Sequence, residues 1–438
     1  MSSVIVVAVL GAVTIVAVAG VVMGVVRIPP HVMLAAYAFF LPFGSTLKVP
    51  VGPAPFNTVS TLLGLAAAFG LILHLLGTRR SVHELPGTVF FWLLFVAWLG
   101  LTLLWSVDPA VSLSKLRILV SLIGFYTLAS LIRFDRRGLR WIELAAVAGA
   151  MVVAVQALHL AAAGRLHETA SRQSRFTFEE GDPNITAATL LLPFVLAVWW
   201  AMHARQRTGR GVSLALAGII LTTIVVTGSR GGLVSAGVSV LILVLQSPSL
   251  TWRRSAVHGG VLFLSLTLVF LSLPAPLTRH LTAKDSTGRT EIWKVGLAAC
   301  PQVCDTGSGW GTFPTVYRKA YYEHLGLKGA GDVDWAAHNA FLSTLIEAGF
   351  VGLVLMVLGL AVLVRRLFDL PALVRGPPIA AVAGLVTSNM FLSNVNFKYF
   401  WFTMTYATLC MTAYRGSASS RTTKPSSDMS GFQELPSQ

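Results

Sequence analysis

Long apolar runs recur along nearly the whole chain, and they constrain its fold more than any other feature. Thirteen runs are long enough, or nearly so, to cross a bilayer as a helix, which takes about 20 residues. Only 12% of the 438 residues are charged, about half the share found in a soluble domain. We therefore predict an all-α polytopic membrane bundle of twelve or thirteen transmembrane helices. The runs lie near residues 4–26, 31–46, 57–77, 88–104, 111–132, 141–163, 184–202, 212–228, 231–246, 256–273, 340–364, 378–394 and 397–413.

Basic residues predict how these helices are oriented. One set of alternate connections, together with the C-terminal tail, holds 18 of the 33 lysines and arginines. By the positive-inside rule this side faces the cytoplasm. The rule also explains the net charge of +15, so we expect no nucleic-acid partner. These basic residues are Arg27, Arg79, Arg80, those of 133–140, 203–210, 252–254 and 365–375, and Arg415, Arg421 and Lys424.

The spans predict four regions along the chain. Residues 1–273 would hold ten helices, and residues 338–414 three more. Between them, 274–337 is the only long polar stretch between spans, and we expect an extracytoplasmic loop containing short helices. The tail 415–438 is rich in serine and threonine, so we expect a disordered cytoplasmic segment. The first run has no basic segment before it and is longer than the apolar part of a signal peptide, so we expect it to be retained.

The chain has three cysteines, Cys300, Cys304 and Cys410. Three are too few for a disulfide framework, and they form no CxxC pair typical of a zinc site. Cys300 and Cys304 can bridge only if their loop faces an oxidising compartment. We expect free thiols.

Arg230 separates two uncharged apolar runs in the stretch "VVTGSRGGLVS" (225–235). The orientation places it on the outer side, at a tight turn between two helices. Gly228, Gly231 and Gly232 surround it and permit close approach of another group. One interpretation is an arginine that snorkels to the interface. We favour the other, an arginine near membrane depth that binds an anion.

Two motifs stand out in the long loop. In "DSTGRTEIWKVGLAAC" (285–300) we predict an amphipathic helix capped by Ser286 or Thr287. Arg289 would lie at its start, where backbone N–H groups also favour anions, although by itself it could be an ordinary solvated arginine. In "GSGWGTFPTVY" (307–317) the glycines predict a turn that a ligand or backbone approaches, with Trp310 and Phe313 as stacking or interface residues.

His338 and Asn339 stand at the outer entry to span 340–364. A neutral histidine can accept a proton near pH 7, although a lone histidine at a membrane interface is more often structural. Glu347 lies inside the apolar run and needs a partner or a wet cavity there.

Two further segments carry polar groups on the outer side. Asp182, Pro183 and Asn184 predict a turn and helix cap before the seventh span. Lys115 and Arg117 lie one to two turns inside the fifth span. The polar residues of both segments could have no role beyond setting the orientation of the helices in the membrane. However, cations on the outer side oppose the positive-inside bias and so call for another cause.

Several of these motifs occur in an order that resembles the bacterial O-antigen ligase and O-antigen polymerase family. The resemblance covers about residues 90–410. The stretches that carry it are "WSVDP", "GDPN", "TGSRGG", "GRTEIW", "GSGWGTF" and "AHNAFLSTLIEAGFVG".

The resemblance implies a GT-C-like glycosyltransferase of the bacterial inner membrane, acting in surface polysaccharide biosynthesis. It would move a glycan from an undecaprenyl-pyrophosphate donor to a glycan or lipid acceptor, such as lipid A core, on the outer face. Arg230 and Arg289 would hold the pyrophosphate, and His338 would activate the acceptor hydroxyl. It implies no metal or other cofactor, and it leaves ligase and polymerase unresolved. The residues that we expect to contact substrate are Asn339, Trp293, Lys115, Arg117, Asn184 and Trp310.

A different class of protein also fits much of this pattern. Secondary transporters and lipid-glycan flippases hold charged residues among many spans, often at broken helices near the midplane. The depth of Arg230 separates the two interpretations, because the midplane favours transport and headgroup level favours transfer.

Overall fold

We describe the fold from a computed structural model. Two of the predicted spans, 4–26 and 256–273, lie outside the residues that it describes. The described residues are 28–44, 47, 58–77, 87–164, 167–168, 174–175, 182–247, 288–325, 335–393 and 395–419.

Helices account for almost all of the regular structure in the described residues, which confirms the prediction of an all-α membrane bundle. Two-residue strands, β1 (His167–Glu168) and β2 (Ser174–Arg175), form a short antiparallel pair. The helices are α1 (Pro30–Phe40), α2 (Val59–Gly77), α3 (Gly87–Thr102), α4 (Pro109–Ser130), α5 (Arg136–Ala162), α6 (Pro183–Thr189), α7 (Leu191–His203), α8 (Arg207–Val226), α9 (Arg230–Gln246), α10 (Arg289–Ala298), α11 (Cys300–Val303), α12 (Phe313–Leu325), α13 (Ala340–Leu367), α14 (Gly376–Asn389) and α15 (Lys398–Ser419).

Several helices are suited to crossing a bilayer, where every backbone polar group must be satisfied within the protein. Six described segments are long and apolar enough, if α6 and α7 are counted as one run. The three shorter apolar segments are Pro30–Phe43, Gly87–Thr102 and Arg230–Gln246. The chain is therefore a multi-pass membrane protein.

Three predicted boundaries are wrong. The run 31–46 is helical only to Phe40 and then tightens into a 3-10 turn, Leu41–Phe43, around Pro42, whose ring nitrogen has no hydrogen to donate. The run 378–394 ends as a helix at Asn389. By contrast, α15 continues to Ser419 and so extends into the tail that we expected to be disordered.

Aromatic side chains fill the core where α3, α4 and α15 meet. Trp92 and Trp401 are buried in contact, with ring centroids 4.9 Å apart, and the Tyr126 ring lies 5.7 Å from Trp401. Elsewhere helices approach closely at small residues. Any side chain at Gly149 of α5 would collide with the backbone carbonyl of Phe39 in α1.

Helix α13 is broken inside its length, and the break organises the neighbouring loop. Gly349 has φ 69° and ψ −173°, a region that essentially only glycine occupies. The carbonyl groups of residues 346–348 accept hydrogen bonds from the backbone N–H groups of Ser308 and Gly309, at 2.9 Å each, and from the indole N–H of Trp98 at 2.6 Å. The loop and a tryptophan of α3 thus satisfy carbonyl groups at the break.

Candidate functional site

Four titratable side chains from separate segments converge near one end of the helices. Arg289 interacts electrostatically with Asp182 and Arg230. His338 interacts with Arg289 and Asp182. We call Asp182, Arg230, Arg289 and His338 the charged cluster. It brings together the two arginines and the histidine that the sequence analysis singled out.

Arg230 is the first residue of α9 and is partly buried. The glycines that follow it pack against other helices. A Cβ at Gly231 would lie 2.9 Å from the side chain of Phe391, and one at Gly232 would lie 2.7 Å from the Cβ of Ala187. These two glycines therefore permit the close approach of another group, as predicted, and that group is a neighbouring part of the protein.

Arg289 is the first residue of α10, as predicted, but the predicted cap is wrong. The N-cap residue is Gly288, with φ 73° and no side-chain hydrogen bond, whereas Ser286 and Thr287 lie outside the described residues. Burial lowers the pKa of Arg289, Asp182 opposes that shift, and Arg230 adds to it. An arginine stays protonated even so, and the N–H groups of the first helical turn lie beside it.

His338 has φ 45°, the one positive φ among non-glycine residues that the structure describes. Such backbone conformations are costly and cluster at functional sites. Neighbouring side chains hold this conformation in place. The indole N–H of Trp293 donates to the carbonyl of Ala337 at 2.9 Å. The Asn339 side-chain oxygen caps α13, accepting from the N–H groups two and three residues onward at 3.0 Å each.

The surroundings of His338 keep its imidazole neutral. Burial lowers its pKa most, the charge of Arg289 lowers it further, and Asp182 partly opposes both. The ordinary pKa of a histidine is about 6.5. A pKa below that value leaves the ring unprotonated at neutral pH. A neutral ring has a nitrogen that can accept a proton.

Asp182 has two roles, of which the sequence revealed one. As predicted it is the N-cap of α6, accepting from the backbone N–H of Asn184 at 2.8 Å and from that residue's side-chain amide at 2.7 Å. It also faces Arg289 and His338. The motif "GDPN" predicts only the cap, because the partners of the carboxylate lie more than a hundred residues away.

A second set of polar groups lies beneath the loop, around Glu347 of α13. This carboxylate is 5% exposed. It accepts the backbone N–H groups of Gly311 at 2.8 Å and Phe313 at 3.2 Å, and the hydroxyl of Ser343 at 3.1 Å. Lys115 adds electrostatic stabilisation. We call these residues the Glu347 network, which supplies the partner that a carboxylate at this depth requires.

A cavity of about 240 Å³ lies between the loop, α4 and α13. Two of the residues expected to contact substrate line it, Lys115 and Trp310, whereas Arg117 is exposed and not among its lining residues. The indole N–H of Trp310 donates to the side-chain oxygen of Asn396 at 3.1 Å. Ala337, the residue before His338, also lines the cavity, whereas the residues of the charged cluster are not among its lining residues.

Cys300 and Cys304 form a disulfide, so the expectation of free thiols is wrong for this pair. The bridge joins the first residue of α11 to the residue that follows its end. The third cysteine, Cys410, is free and buried. Because stable disulfides form in oxidising compartments, the bridge favours an extracytoplasmic loop.

Together, the helical bundle and the charged cluster define a multi-pass membrane protein in which two arginines, an aspartate and a histidine meet near the helix ends. Residues 215–357 match the family model for O-antigen ligase. The match confirms the resemblance to the bacterial O-antigen ligase and polymerase family and supports glycan transfer of that general kind. It includes Arg230, Arg289 and His338, whereas Asp182 and Lys115 lie before it. A search of curated proteins found no match.

Proposed function

We propose that the chain transfers a glycan from an undecaprenyl-pyrophosphate donor to an acceptor hydroxyl on the outer face of the cytoplasmic membrane. The observation that carries this proposal is the charged cluster, in which two arginines and a neutral histidine meet from three segments. The acceptor is a growing polysaccharide or a lipid A core.

The two arginines act on the leaving group. As the bond between the anomeric carbon and the pyrophosphate oxygen breaks, the electron pair leaves with that oxygen. Arg230 and Arg289 stabilise the resulting charge, which lowers the barrier directly. Guanidinium groups suit this task because their planar donors bind phosphate oxygens in pairs.

His338 acts on the acceptor. Its neutral nitrogen takes the hydroxyl proton while the acceptor oxygen forms the new bond to the anomeric carbon. Binding of the donor strengthens this base, because the negative pyrophosphate offsets the charge of Arg289 that lowers the pKa of His338. The base therefore becomes stronger when the donor is present.

The position of the cations along the helices favours transfer over transport. Arg230 is the first residue of α9, and Arg289 begins a helix of the long loop. Transporters of the rival class hold substrates at discontinuous helices near the midplane. A pyrophosphate attached to an undecaprenyl chain instead lies at headgroup level. An arginine at the end of a transmembrane helix lies at the same level.

The arginine assignment is tested by transfer from a purified lipid-linked donor in reconstituted vesicles. Arg230→Lys and Arg289→Lys keep the charge but lose the planar fork. We expect each to lower the transfer rate by about 100-fold, as for loss of one donor to a developing anion. Lys294→Ala is the matched control, because this lysine lies on α10 with its side chain 69% exposed. Wild-type rates in both arginine variants would refute the proposal.

The orientation needs a separate test. We expect Lys294→Cys to react with an impermeant maleimide applied to the outer face of cells. Arg137→Cys, exposed on α5, should react only after the membrane is opened. The opposite pattern would place the charged cluster on the cytoplasmic side and overturn the assignment of the outer face.

A further inference from the structure

A second cavity, of about 290 Å³, lies at the other end of the helices. Its wall combines two arginines and a glutamate from the first turns of α5 with aromatic side chains from α7 and α15. The function proposed above uses none of them. These lining residues are Arg136, Arg140, Glu143, Trp199, Trp200, Tyr406 and Tyr414.

Helices α6 and α7 lead from the charged cluster to this cavity. Asp182 caps the start of α6, and Trp199 lies near the end of α7. At about 1.5 Å per residue, the two residues are roughly 25 Å apart along the helices. That separation is close to the apolar thickness of a bilayer. The cavity thus lies at the level of the headgroups of the opposite leaflet.

The cavity carries excess positive charge. Arg140 pairs with Glu143 at 3.1 Å, and the hydroxyl of Tyr406 donates to the same carboxylate at 3.1 Å. Glu143 is thereby already neutralised. Among the described residues, no carboxylate lies within salt-bridge distance of Arg136. The guanidinium of Arg136 lines the cavity, where a ligand can reach it.

The guanidinium groups of Arg136 and Arg140 both line the cavity. Arg136 and Arg140 are four residues apart, so they lie on the same face of α5. Arg140 lies over the ring of Trp200 at 4.0 Å, and Arg136 over the ring of Tyr414 at 5.0 Å. A guanidinium stacked on a ring still directs N–H donors outward from its edge, the geometry that binds phosphate oxygens.

We infer that this cavity binds the phosphate of an anionic glycerophospholipid from the leaflet opposite the transfer site. Basic pockets between transmembrane helices bind such headgroups. The other lining residues favour a lipid over a small anion, because Leu139, Val374 and Pro377 offer apolar surface. Tryptophan and tyrosine also belong at the membrane interface.

Lipid exchange on the purified full-length protein tests this inference. The protein is equilibrated with mixed micelles of phosphatidylglycerol and phosphatidylcholine, and the bound lipid is measured by native mass spectrometry. We expect the wild type to retain phosphatidylglycerol preferentially. Arg136→Gln should weaken that preference about fivefold, the effect of one cation near a lipid surface. Arg137→Gln, an exposed neighbour outside the cavity, should leave it unchanged.

A double variant and a competitor provide two further measurements. Arg140→Gln combined with Glu143→Gln removes the second guanidinium without leaving the buried carboxylate unpaired, and we expect a further loss of preference. Inorganic phosphate is added as a competitor and should not displace the lipid. Equal retention by wild type and Arg136→Gln would overturn the inference. Displacement by millimolar phosphate would also overturn it, because the site would then bind a small anion.

Discussion

The charged cluster and the Glu347 network both place charged side chains beside glycine-containing turns, yet the local balance of charge differs. In the network, two backbone N–H groups and a hydroxyl bind the carboxylate of Glu347, with Lys115 nearby. In the charged cluster, two arginines meet one aspartate and a neutral histidine. The carboxylate of the network has its hydrogen-bond partners within the fold, whereas the four described side chains of the cluster comprise two cations and one carboxylate beside the histidine.

This difference distinguishes charged residues that stabilise the fold from charged residues that bind a ligand. A buried carboxylate with its hydrogen bonds satisfied stabilises the fold, and removing a partner costs stability. Cations held close together repel one another, and an anion that binds between them relieves this repulsion. We therefore expect substitutions in the cluster to alter transfer and substitutions in the network to alter folding.

The largest effect should come from His338. His338→Ala removes the proposed base, and general-base catalysis is worth about 100- to 10,000-fold in rate. The variant should still bind the lipid-linked donor, because both arginines remain. His338→Gln, which hydrogen-bonds but takes no proton at neutral pH, should be as slow. A glutamine variant at near wild-type rate would show that His338 only positions groups.

The pH dependence sharpens this assignment. A base works only when unprotonated, so transfer should decline as pH falls through the pKa of His338. Burial and Arg289 lower that pKa, so the acid limb of kcat/KM, which reports the free enzyme, should lie below the ordinary histidine value of about 6.5. A limb above that value would contradict the environment described here.

Glu347→Gln should affect stability more than transfer. Glutamine offers one acceptor oxygen where the carboxylate offers two, so an N–H of the loop loses its partner. We expect a loss of about 1–3 kcal/mol in stability, measured by thermal denaturation in detergent. Ser343→Ala, which removes only one hydrogen bond, should cost less. A 100-fold loss of transfer with unchanged stability would assign Glu347 to the catalytic site.

Asp182→Asn should have the smallest effect. The amide oxygen still accepts from the backbone N–H of Asn184, so the cap of α6 is retained, but the negative charge is lost. Asp182 raises the pKa of His338, so its loss should move the acid limb of transfer to lower pH, with less than about a tenfold change in rate. Asn184→Ala keeps the charge and should leave the limb in place. If the acid limb of the pH–rate profile stayed in place in Asp182→Asn, Asp182 would not influence the pKa of His338.

Much of the fold could be predicted from the sequence because apolar runs in a membrane can hardly be anything but helices. The ends of the helices were less predictable. Pro42 breaks the first described helix early, and α15 continues past the last apolar residues into a polar segment. Hydropathy indicates whether a segment lies in lipid or in water. The exact residue at which a helix ends depends instead on local hydrogen bonds.

The candidate site was only partly predictable, for a physical reason. Arg230 and His338 stand out because a cation or imidazole beside an apolar run is costly, and Arg289 because it begins a predicted helix whose backbone N–H groups favour anions. Other contacts join groups far apart in the chain. Lys398 donates to the hydroxyls of Ser60 at 2.9 Å and Thr61 at 2.6 Å, and no local pattern marks such a pair.

The break at Gly349 has a consequence for how this protein can be divided and recombined. The first part of α13, residues 340–348, spans roughly 14 Å and is joined to the loop by hydrogen bonds at its carbonyl groups. It therefore belongs structurally to the loop. A chimera that exchanges the loop with that of a related protein should place its second junction at Gly349, because a junction at His338 would cut through one folded unit.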